Sequence, residues 1–161
     1  MTKTFDFKDN CLIGIISDTH GYLSAAVLKA FADSDLIIHA GDVGKPDVLK
    51  SLKSIAPLIA VRGNMDFGIW ANQLPQHEIV QIGTVVIYVV HDVQRLRIAS
   101  NSTGIDAIIF GHSHRPQARD KDGVFFLNPG SASFPKFGDS ASVALLRLQG
   151  KHLIPKFVHL T

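Results

Sequence analysis

Apolar runs alternate with helical segments in the first part of the chain. Three runs are continuous enough to predict strands that are buried on both faces of a sheet, namely residues 11–17, 35–40 and 57–62. Between the first two runs, residues 24–32 have helical spacing, and Ser24 is a candidate N-cap. Pro46 suits the first turn of a second helix over residues 46–53. This strand–helix–strand–helix–strand order predicts a parallel sheet.

The rest of the chain predicts hairpins around one further buried strand. In chain order, the predicted elements are strands 77–82 and 84–90 joined at Gly83, a helix over roughly 93–101, and strands 106–110, 114–119, 124–127, 142–148 and 152–159. Asp122-Gly123 and Gly150-Lys151 are residue pairs that favour tight turns between two of these strand pairs. Together, the two halves predict an α/β sandwich that mixes parallel and antiparallel strands.

The composition is typical of a folded protein and argues against nucleic acid as a partner. The 161 residues fit one domain over residues 1–161, and 46% hydrophobic against 19% charged residues is enough for an apolar core. A formal net charge of +2 gives no electrostatic basis for strong nucleic-acid binding. Cys11 is the single cysteine, which excludes an internal disulfide, and we expect it to be buried. The chain has neither a signal-peptide pattern nor an apolar run of the ~20 residues that span a membrane, so we expect a cytoplasmic protein.

Polar residues that can bind metal follow five of the predicted strands. They are Asp18, His20, Asp42, Asn64, His91, His112 and His114. In open α/β sheets, ligands bind at the carboxyl ends of the strands, so we expect these side chains to meet at one edge. In the Asp-x-His and His-x-His pairs, alternate residues of an extended segment point the same way and can reach one site.

The residue types narrow the chemistry of this site. Oxygen and imidazole donors without a thiolate suit Mn, Fe, Zn or Ni better than Mg or Ca, which prefer all-oxygen coordination. Seven donors are too many for one tetrahedral zinc. They suit two ions that share a carboxylate and keep open positions for water and substrate. The sequence therefore predicts a binuclear metal centre.

The same motifs, in the same order, resemble a known family. They are Asp18-x-His20, Gly41-Asp42, Gly63-Asn64-x-Asp66, His91, Gly111-His112-x-His114 and Asn128-Pro129-Gly130-Ser131. The sequence is similar to calcineurin-like metallophosphoesterases, specifically the small YfcE-type phosphodiesterases, over roughly residues 11–133. The resemblance implies an αββα sandwich with mixed parallel and antiparallel sheets. It also implies metal-dependent hydrolysis of small phosphodiesters, with phosphomonoesters as a variant.

The resemblance also implies roles for individual residues. One ion would take Asp18, His20 and His114; the other would take Asn64, His91 and His112; Asp42 would bridge them. Asp42, Asn64 and His112 are also assigned catalytic roles. A hydroxide held between the two ions would attack phosphorus in line. Mn is the first expectation for both ions, with Ni, Zn or Fe as alternatives.

Two positions depart from the family pattern. Asp92 follows His91 where many relatives have glycine, which places a carboxylate near the site or in solvent. Met65 stands where larger metallophosphoesterases often have a histidine that is thought to protonate the leaving group. YfcE-type proteins commonly lack that histidine. Met65 therefore fits the subgroup but removes an obvious general acid.

Several other residues have less specific interpretations. We expect His39 to be a hydrogen-bonded core residue, and Asp66 to orient a ligand through a hydrogen bond. His77, His152 and His159 are interpreted as surface or packing residues. Arg62 and Arg115 adjoin the motifs. Each could contact a phosphate or lie in solvent at the surface.

A different class of function has to be weighed against catalysis. The retromer complex contains a subunit similar to this family that serves mainly as an interaction module and departs from the full ligand set. This chain has all seven positions, which favours catalysis. The apolar stretch from Phe67 to Trp70, with Phe134 and Phe137, predicts a homo-oligomer contact of a dimer or tetramer, a roof over the substrate, or core packing.

Overall fold

Two β-sheets and three short helices make up the structure, a computed structural model that describes residues 2–7, 10–96, 104–136 and 138–160. The elements in chain order are β1 (Thr2–Phe5), β2 (Asn10–Ile16), α1 (Ala25–Ala30), β3 (Leu36–His39), α2 (Pro46–Lys53), β4 (Leu58–Ala60), α3 (Ile69–Asn72), β5 (His77–Ile82), β6 (Val85–Val90), a 3-10 turn (Val93–Arg95), β7 (Ala107–Ile109), β8 (Gln117–Lys121), β9 (Val124–Asn128), β10 (Ser142–Gln149) and β11 (His152–His159). Among the helices within these ranges, none is long and apolar enough to cross a membrane.

The order and direction of the strands place several carboxyl ends at one edge of the sheets. The five-stranded sheet has the order β11-β10-β2-β3-β4, in which β2, β3 and β4 run parallel. The six-stranded sheet has the order β1-β5-β6-β7-β9-β8, in which β6, β7 and β9 run parallel. The remaining neighbours in both sheets are antiparallel, except that β1 runs parallel to β5. This mixture confirms the predicted fold class.

The main core lies between the facing sheets. Ile15 and Ile38 from the five-stranded sheet belong to the same buried cluster as Ile87, Ile109 and Leu127 from the other sheet. A second cluster covers the opposite face of the five-stranded sheet, where α1 and α2 pack. Strands β2 and β3 are therefore buried on both faces, which explains their continuous apolar sequence.

The outer face of the six-stranded sheet carries a third, smaller apolar cluster around Tyr88 and Phe110. The predicted helix over residues 93–101 falls here. Its first residues form the 3-10 turn instead. The Asp92 side chain caps this turn by accepting a 3.0 Å hydrogen bond from the Gln94 amide. Residues 97–101 lie outside the described part of the chain.

Some predicted boundaries were wrong, and two elements were missed. Strand β1 pairs with β5 through its backbone while most of its side chains stay exposed, so its sequence carries no apolar alternation. Helix α3 has only four residues, too few to establish a helical period. The strand predicted from residue 114 begins at Gln117, because the preceding loop bends at His114 into positive φ. Ser24 occupies the N-cap position of α1, but its hydroxyl makes no capping hydrogen bond to the described residues. Pro46 opens α2 as predicted.

Gly14 allows β2 to lie against the ring of Phe31 at the end of α1. A methyl group at residue 14 would sit 2.9–3.0 Å from three ring atoms of Phe31. We expect Gly14→Ala to lower the free energy of unfolding by about 1–3 kcal/mol through overpacking, as measured by urea denaturation. Phe31→Leu in the same chain should recover part of that loss. An unchanged midpoint in the single variant would contradict this account of the packing.

Candidate metal centre

The structure brings the seven predicted residues to one edge of the two sheets. Asp18 and His20 follow β2, Asp42 follows β3, and Asn64 follows β4. His91 follows β6 directly, and the loop after β7 carries His112 and His114. Because the strands that precede these residues are parallel within each sheet, their carboxyl ends open on the same side. Asp18 and His114, 96 positions apart in the sequence, therefore come into contact.

Asp18, His20 and His114 form one half of the cluster. Asp18 Oδ1 lies 3.2 Å from His114 Nε2 and 3.8 Å from His20 Nε2. The two imidazoles are 3.4 Å apart at their Nε2 atoms. These three donor atoms lie within 4.8 Å of one another, which is close enough to share one metal ion.

Asp42, Asn64, His91 and His112 form the other half. His91 Nε2 lies 3.3 Å from Asp42 Oδ2 and 3.0 Å from Asn64 Oδ1. Asn64 Oδ1 is also 3.2 Å from His112 Nδ1. The Asn64 side-chain oxygen therefore lies between the imidazoles of His91 and His112.

Two carboxylates, not one, lie between the halves. Asp42 Oδ2 is 3.3 Å from His91 Nε2 and 3.8 Å from His20 Nε2. Asp18 Oδ1 also faces both halves, because it lies 3.9 Å from His91 Nε2 in addition to its contacts with His20 and His114. The resemblance implied a shared position only for Asp42.

Hydrogen bonds on the far side of each donor orient the donors toward the centre. The Nδ1 atoms of His91 and His114 donate to the carbonyls of Ala40 and Phe134, at 2.8 and 2.6 Å. Each ring therefore presents an unprotonated Nε2 in its neutral form. Backbone carbonyls in this position are a common support for histidines that bind metal.

The supports of the carboxylates are equally directional. Asp18 Oδ2 accepts from the Ser17 hydroxyl at 2.7 Å and from the His112 amide at 3.2 Å. Asp42 Oδ1 accepts from the Met65 amide at 2.8 Å. In both residues, the second oxygen is left to face the imidazoles.

The charge balance of the cluster favours a bound cation. Asp18 Oδ1 is buried and has no hydrogen-bond partner among the described residues. Burial alone lowers the pKa of His91, but its hydrogen bond to Asp42 and the charges of Asp18 and Asp42 raise it overall. The carboxylate of Asp18, 3.2 Å from Nε2, likewise raises the pKa of His114. A buried carboxylate oxygen that several imidazole nitrogens face suits a divalent ion with mixed oxygen and nitrogen ligands.

The loops hold several of these residues in an uncommon backbone conformation. Five of the seven have φ between 48° and 72°: Asp18, His20, Asp42, His112 and His114. A left-handed backbone disfavours a residue with a Cβ, and such residues concentrate at functional sites. The periodicity of the sequence gives no sign of this conformation.

His39 connects two of the loops from inside the core. Its Nδ1 accepts from the Gly41 amide at 3.1 Å, so its ring proton sits on Nε2, which donates to Thr19 Oγ1 at 3.0 Å. The Thr19 hydroxyl then donates to the Val43 carbonyl at 2.8 Å. Burial lowers the pKa of His39 to about 4, so the ring is neutral near pH 7. These contacts confirm the prediction of a hydrogen-bonded core histidine.

Asp66 supports the site differently from the prediction. Its carboxylate accepts from the amides of Val43, Gly44 and Gly63 at 3.2, 2.8 and 2.9 Å. It therefore ties the loop after β3 to the loop after β4, and its bonds go to backbone amides instead of to a ligand side chain. Asp66 therefore helps to fix the position of Asp42, which lies in one of these two loops.

The turn over residues 128–131 also lies beside the centre. Asn128 Nδ2 donates to the Gly111 carbonyl at 3.1 Å, and the Ser131 hydroxyl donates to the Asp18 carbonyl at 2.9 Å. Ser133 reaches the same Asp18 carbonyl at 2.9 Å. The turn thus braces two of the loops that carry metal-binding residues.

The remaining predicted residues lie around the rim. Arg62 bonds the Asp66 carbonyl and the Asn72 side chain, each at 3.1 Å, while Arg115 lies 4.0 Å from Asp139. Asp92 caps the 3-10 turn and also lies 3.9 Å from His112 Nε2, so its carboxylate is close to the site. Three histidines are exposed, as predicted: His77, His152 and His159.

An exposed apolar rim borders the centre. Met65 is 53% exposed, Phe67 66%, Ile69 83% and Phe134 55%, whereas Trp70 packs partly against the helical layer. Phe137 lies outside the described residues. The prediction that this rim joins copies of the chain stays a prediction.

Comparison with known proteins identifies the family. Residues 11–151 match the calcineurin-like phosphoesterase superfamily domain, and the chain belongs to that superfamily. A probable metallophosphoesterase of Methanothermobacter thermautotrophicus is 38% identical over 156 residues, covering 88% of each chain. The phosphodiesterase YfcE of Escherichia coli is 32% identical over 158 residues, covering 81% of this chain and 84% of YfcE. The predicted resemblance is confirmed.

Solved structures agree with this assignment. Escherichia coli YfcE superposes with a TM-score of 0.70 at 25% identity, covering 93% of this chain and 100% of that chain. Vps29 of Entamoeba histolytica, solved in complex with zinc, superposes with a TM-score of 0.67 at 22% identity, covering 92% and 98%. The second likeness shows a shared fold. The family and the Asp/His groups together identify a metal-binding phosphoesterase.

His39 should make stability depend on pH. An unfolded histidine binds a proton near pH 6.5, whereas burial holds the folded pKa of His39 at about 4. The neutral ring of His39 therefore stabilises the fold fully above pH 6.5. This stabilisation is lost as the pH falls through 4, by about 3 kcal/mol at most. His39→Gln should reduce the loss of unfolding free energy between neutral pH and about pH 4.5, measured by urea denaturation. The matched control is His152→Gln on the exposed start of β11. The same pH dependence in all three proteins would contradict this role.

Proposed function

We propose that the protein is a phosphodiesterase that uses two divalent transition-metal ions, with Mn as the first candidate and Ni, Zn or Fe as alternatives. The observation that carries the proposal is Asp18 Oδ1, which is buried without a hydrogen-bond partner in the described structure and faces the Nε2 atoms of three histidines. A cavity of about 700 Å³ adjoins this cluster and offers space for a small ester. The phosphodiesterase YfcE supports the choice of diesters over monoesters.

The donors divide into two sets. One ion would be held by Asp18, His20 and His114, which form a compact group of donor atoms. The other would be held by Asn64, His91 and His112, which are linked by contacts of 3.0 and 3.2 Å. Asp42 would belong to both sets, and its distances of 3.3 and 3.8 Å to histidines of the two sets support this role.

The residues of the chain would orient the metal-binding histidines, and the ions would supply positive charge. Divalent ions at such a site neutralise charge on the phosphoryl oxygens and lower the pKa of bound water. The carbonyls of Ala40 and Phe134 keep the Nε2 atoms of His91 and His114 aimed at the centre. The exposed side chain of Met65 cannot donate a proton to a leaving group. Poor leaving groups should therefore be the least favourable substrates.

A scaffold role is the second candidate, and the exposed apolar rim favours it. Phe67, Ile69 and Phe134 present large apolar side chains next to the metal centre. The fold is shared with Vps29, so a protein partner could contact this edge. Turnover of a panel of aryl and alkyl phosphoesters with Mn, Ni, Zn or Mg added in turn separates the candidates. Absence of turnover with every metal would favour the scaffold.

Asp42 should matter more for metal binding than Asn64. Because Asp42 would contact both ions and carries a charge, Asp42→Asn should weaken both sites, whereas Asn64→Ala should weaken one. We expect two ions per chain in the natural protein after reconstitution, measured by elemental analysis, and the larger loss in Asp42→Asn. Asp120→Asn, an exposed carboxylate on β8, is the control and should bind metal normally. Full metal content in Asp42→Asn would refute the shared role.

Met65 should determine how rate depends on the leaving group. The Met65 amide donates to Asp42 Oδ1, a contact that a new side chain leaves intact. We expect Met65→His to raise the rates of alkyl phosphodiesters by up to ~10²-fold, the lower end of general acid catalysis, and to change activated aryl esters little. The measurement is the slope of log rate against leaving-group pKa.

The control for this prediction is Met65→Leu, which keeps an apolar side chain without a proton donor. Its slope should remain as steep as that of the natural protein. A shallow slope in the natural protein would show that another residue already supplies the proton.

A further inference from the structure

The cavity of about 700 Å³ extends well beyond the metal-binding residues on one side of the centre. Asn64, His91 and His112 line its inner end. Its outer walls come from residues that the metal site does not use, among them His77 and Tyr88. A phosphoryl group at the metal centre would therefore leave room for one attached organic group in the outer part.

A flat aromatic surface forms part of the outer wall. The rings of His77 and Tyr88 stack with centroids 5.5 Å apart and an interplanar angle of 11°. The two side chains lie on the same face of the antiparallel pair β5 and β6, where His77 is opposite Val90 and Ile79 is opposite Tyr88. Tyr88 is buried in the apolar cluster on that face, whereas His77 is exposed. The buried ring supports the exposed one, whose free face can stack on a planar ligand.

Polar groups surround this stacked pair. Arg62 is oriented by two hydrogen bonds, to the Asp66 carbonyl and to Asn72. Arg95 also lines the cavity and lies 3.8 Å from Asp92. Gln76 adds an amide that can both donate and accept. Such a wall suits a planar group that carries hydrogen-bonding atoms better than an alkyl chain.

We propose that this cavity binds a nucleoside, so that the preferred substrates are phosphodiesters in which one esterified group is a nucleoside. The base stacks on His77, and its polar edge and the sugar hydroxyls meet the donors of Arg62, Gln76 and Arg95. The proposal rests on the proposed function, because the phosphoryl group at the metal centre places the nucleoside in the cavity.

The test compares two ligands that cannot be hydrolysed. One is a thymidine 5′-phosphonate in which a methylene group replaces the ester oxygen, and the other is methylphosphonate, which lacks the nucleoside. Their affinities for the protein reconstituted with Mn are measured by calorimetry. Base–aromatic stacking is worth roughly 5- to 150-fold in affinity, so we expect at least ~10-fold tighter binding of the nucleoside phosphonate.

Variants at His77 separate stacking from folding. His77→Ala should weaken the nucleoside phosphonate by at least ~5-fold and leave methylphosphonate unchanged. His77→Phe, which keeps a flat ring, should retain most of the affinity. His152→Ala removes an exposed histidine from the other sheet and should change neither ligand.

Two results would overturn the proposal: equal affinity of the natural protein for both phosphonates, or an equal loss for both in His77→Ala. Hydrolysis of bis-aryl phosphodiesters is measured separately. A protein that binds the nucleoside phosphonate tightly but hydrolyses no ester would keep the nucleoside site and refute the proposed activity. Hydrolysis without any nucleoside preference would refute the nucleoside site alone.

Discussion

Burial of two carboxylates against a ring of imidazoles is the constraint on which the rest of the site depends. Asp18 and Asp42 are both withdrawn from solvent, and one oxygen of Asp18 has no hydrogen-bond partner in the described part of the chain. An ionised carboxylate in such surroundings is unfavourable unless positive charge compensates it. The histidines provide part of that charge when protonated, and divalent ions provide more. The geometry of the two buried carboxylates therefore favours the binding of cations.

The supporting structure keeps this arrangement from relaxing. Carbonyls fix the rings of His91 and His114, while Asp66 and His39 tie neighbouring loops together from within the core. Glycine is needed where these loops approach closely, because a methyl group at Gly63 would collide with Asp42 Oδ1. The rigidity suits a phosphoesterase, in which preorganised charge stabilises the reacting group.

Sequence reasoning predicted that the seven polar residues lie together, because each follows an apolar run by at most four positions and parallel strands bring such positions to one edge. Strand β1 was missed because most of its side chains stay exposed, so its pairing with β5 leaves no apolar alternation in the sequence. The approach of Asp18 Oδ1 to histidines of both halves was not predicted, because it depends on distances between the two sheets. The walls of the cavity were missed for a similar reason. His77 and Tyr88 look like ordinary strand residues until the register of β5 and β6 places them face to face.

The chain order of the contacts at Asp18 has a consequence for folding. The Asp18 carbonyl accepts hydrogen bonds from Ser131 and Ser133, at separations of 113 and 115 residues. Strand β2, which leads to Asp18, pairs on one side with β10, whose residues also lie more than a hundred positions away. Contacts of such long range form slowly, because the entropy of closing large loops must be overcome first. During synthesis, β2 can pair with β3 early, but its pairing with β10 and the two serine hydrogen bonds cannot form until residues 131–149 have been made.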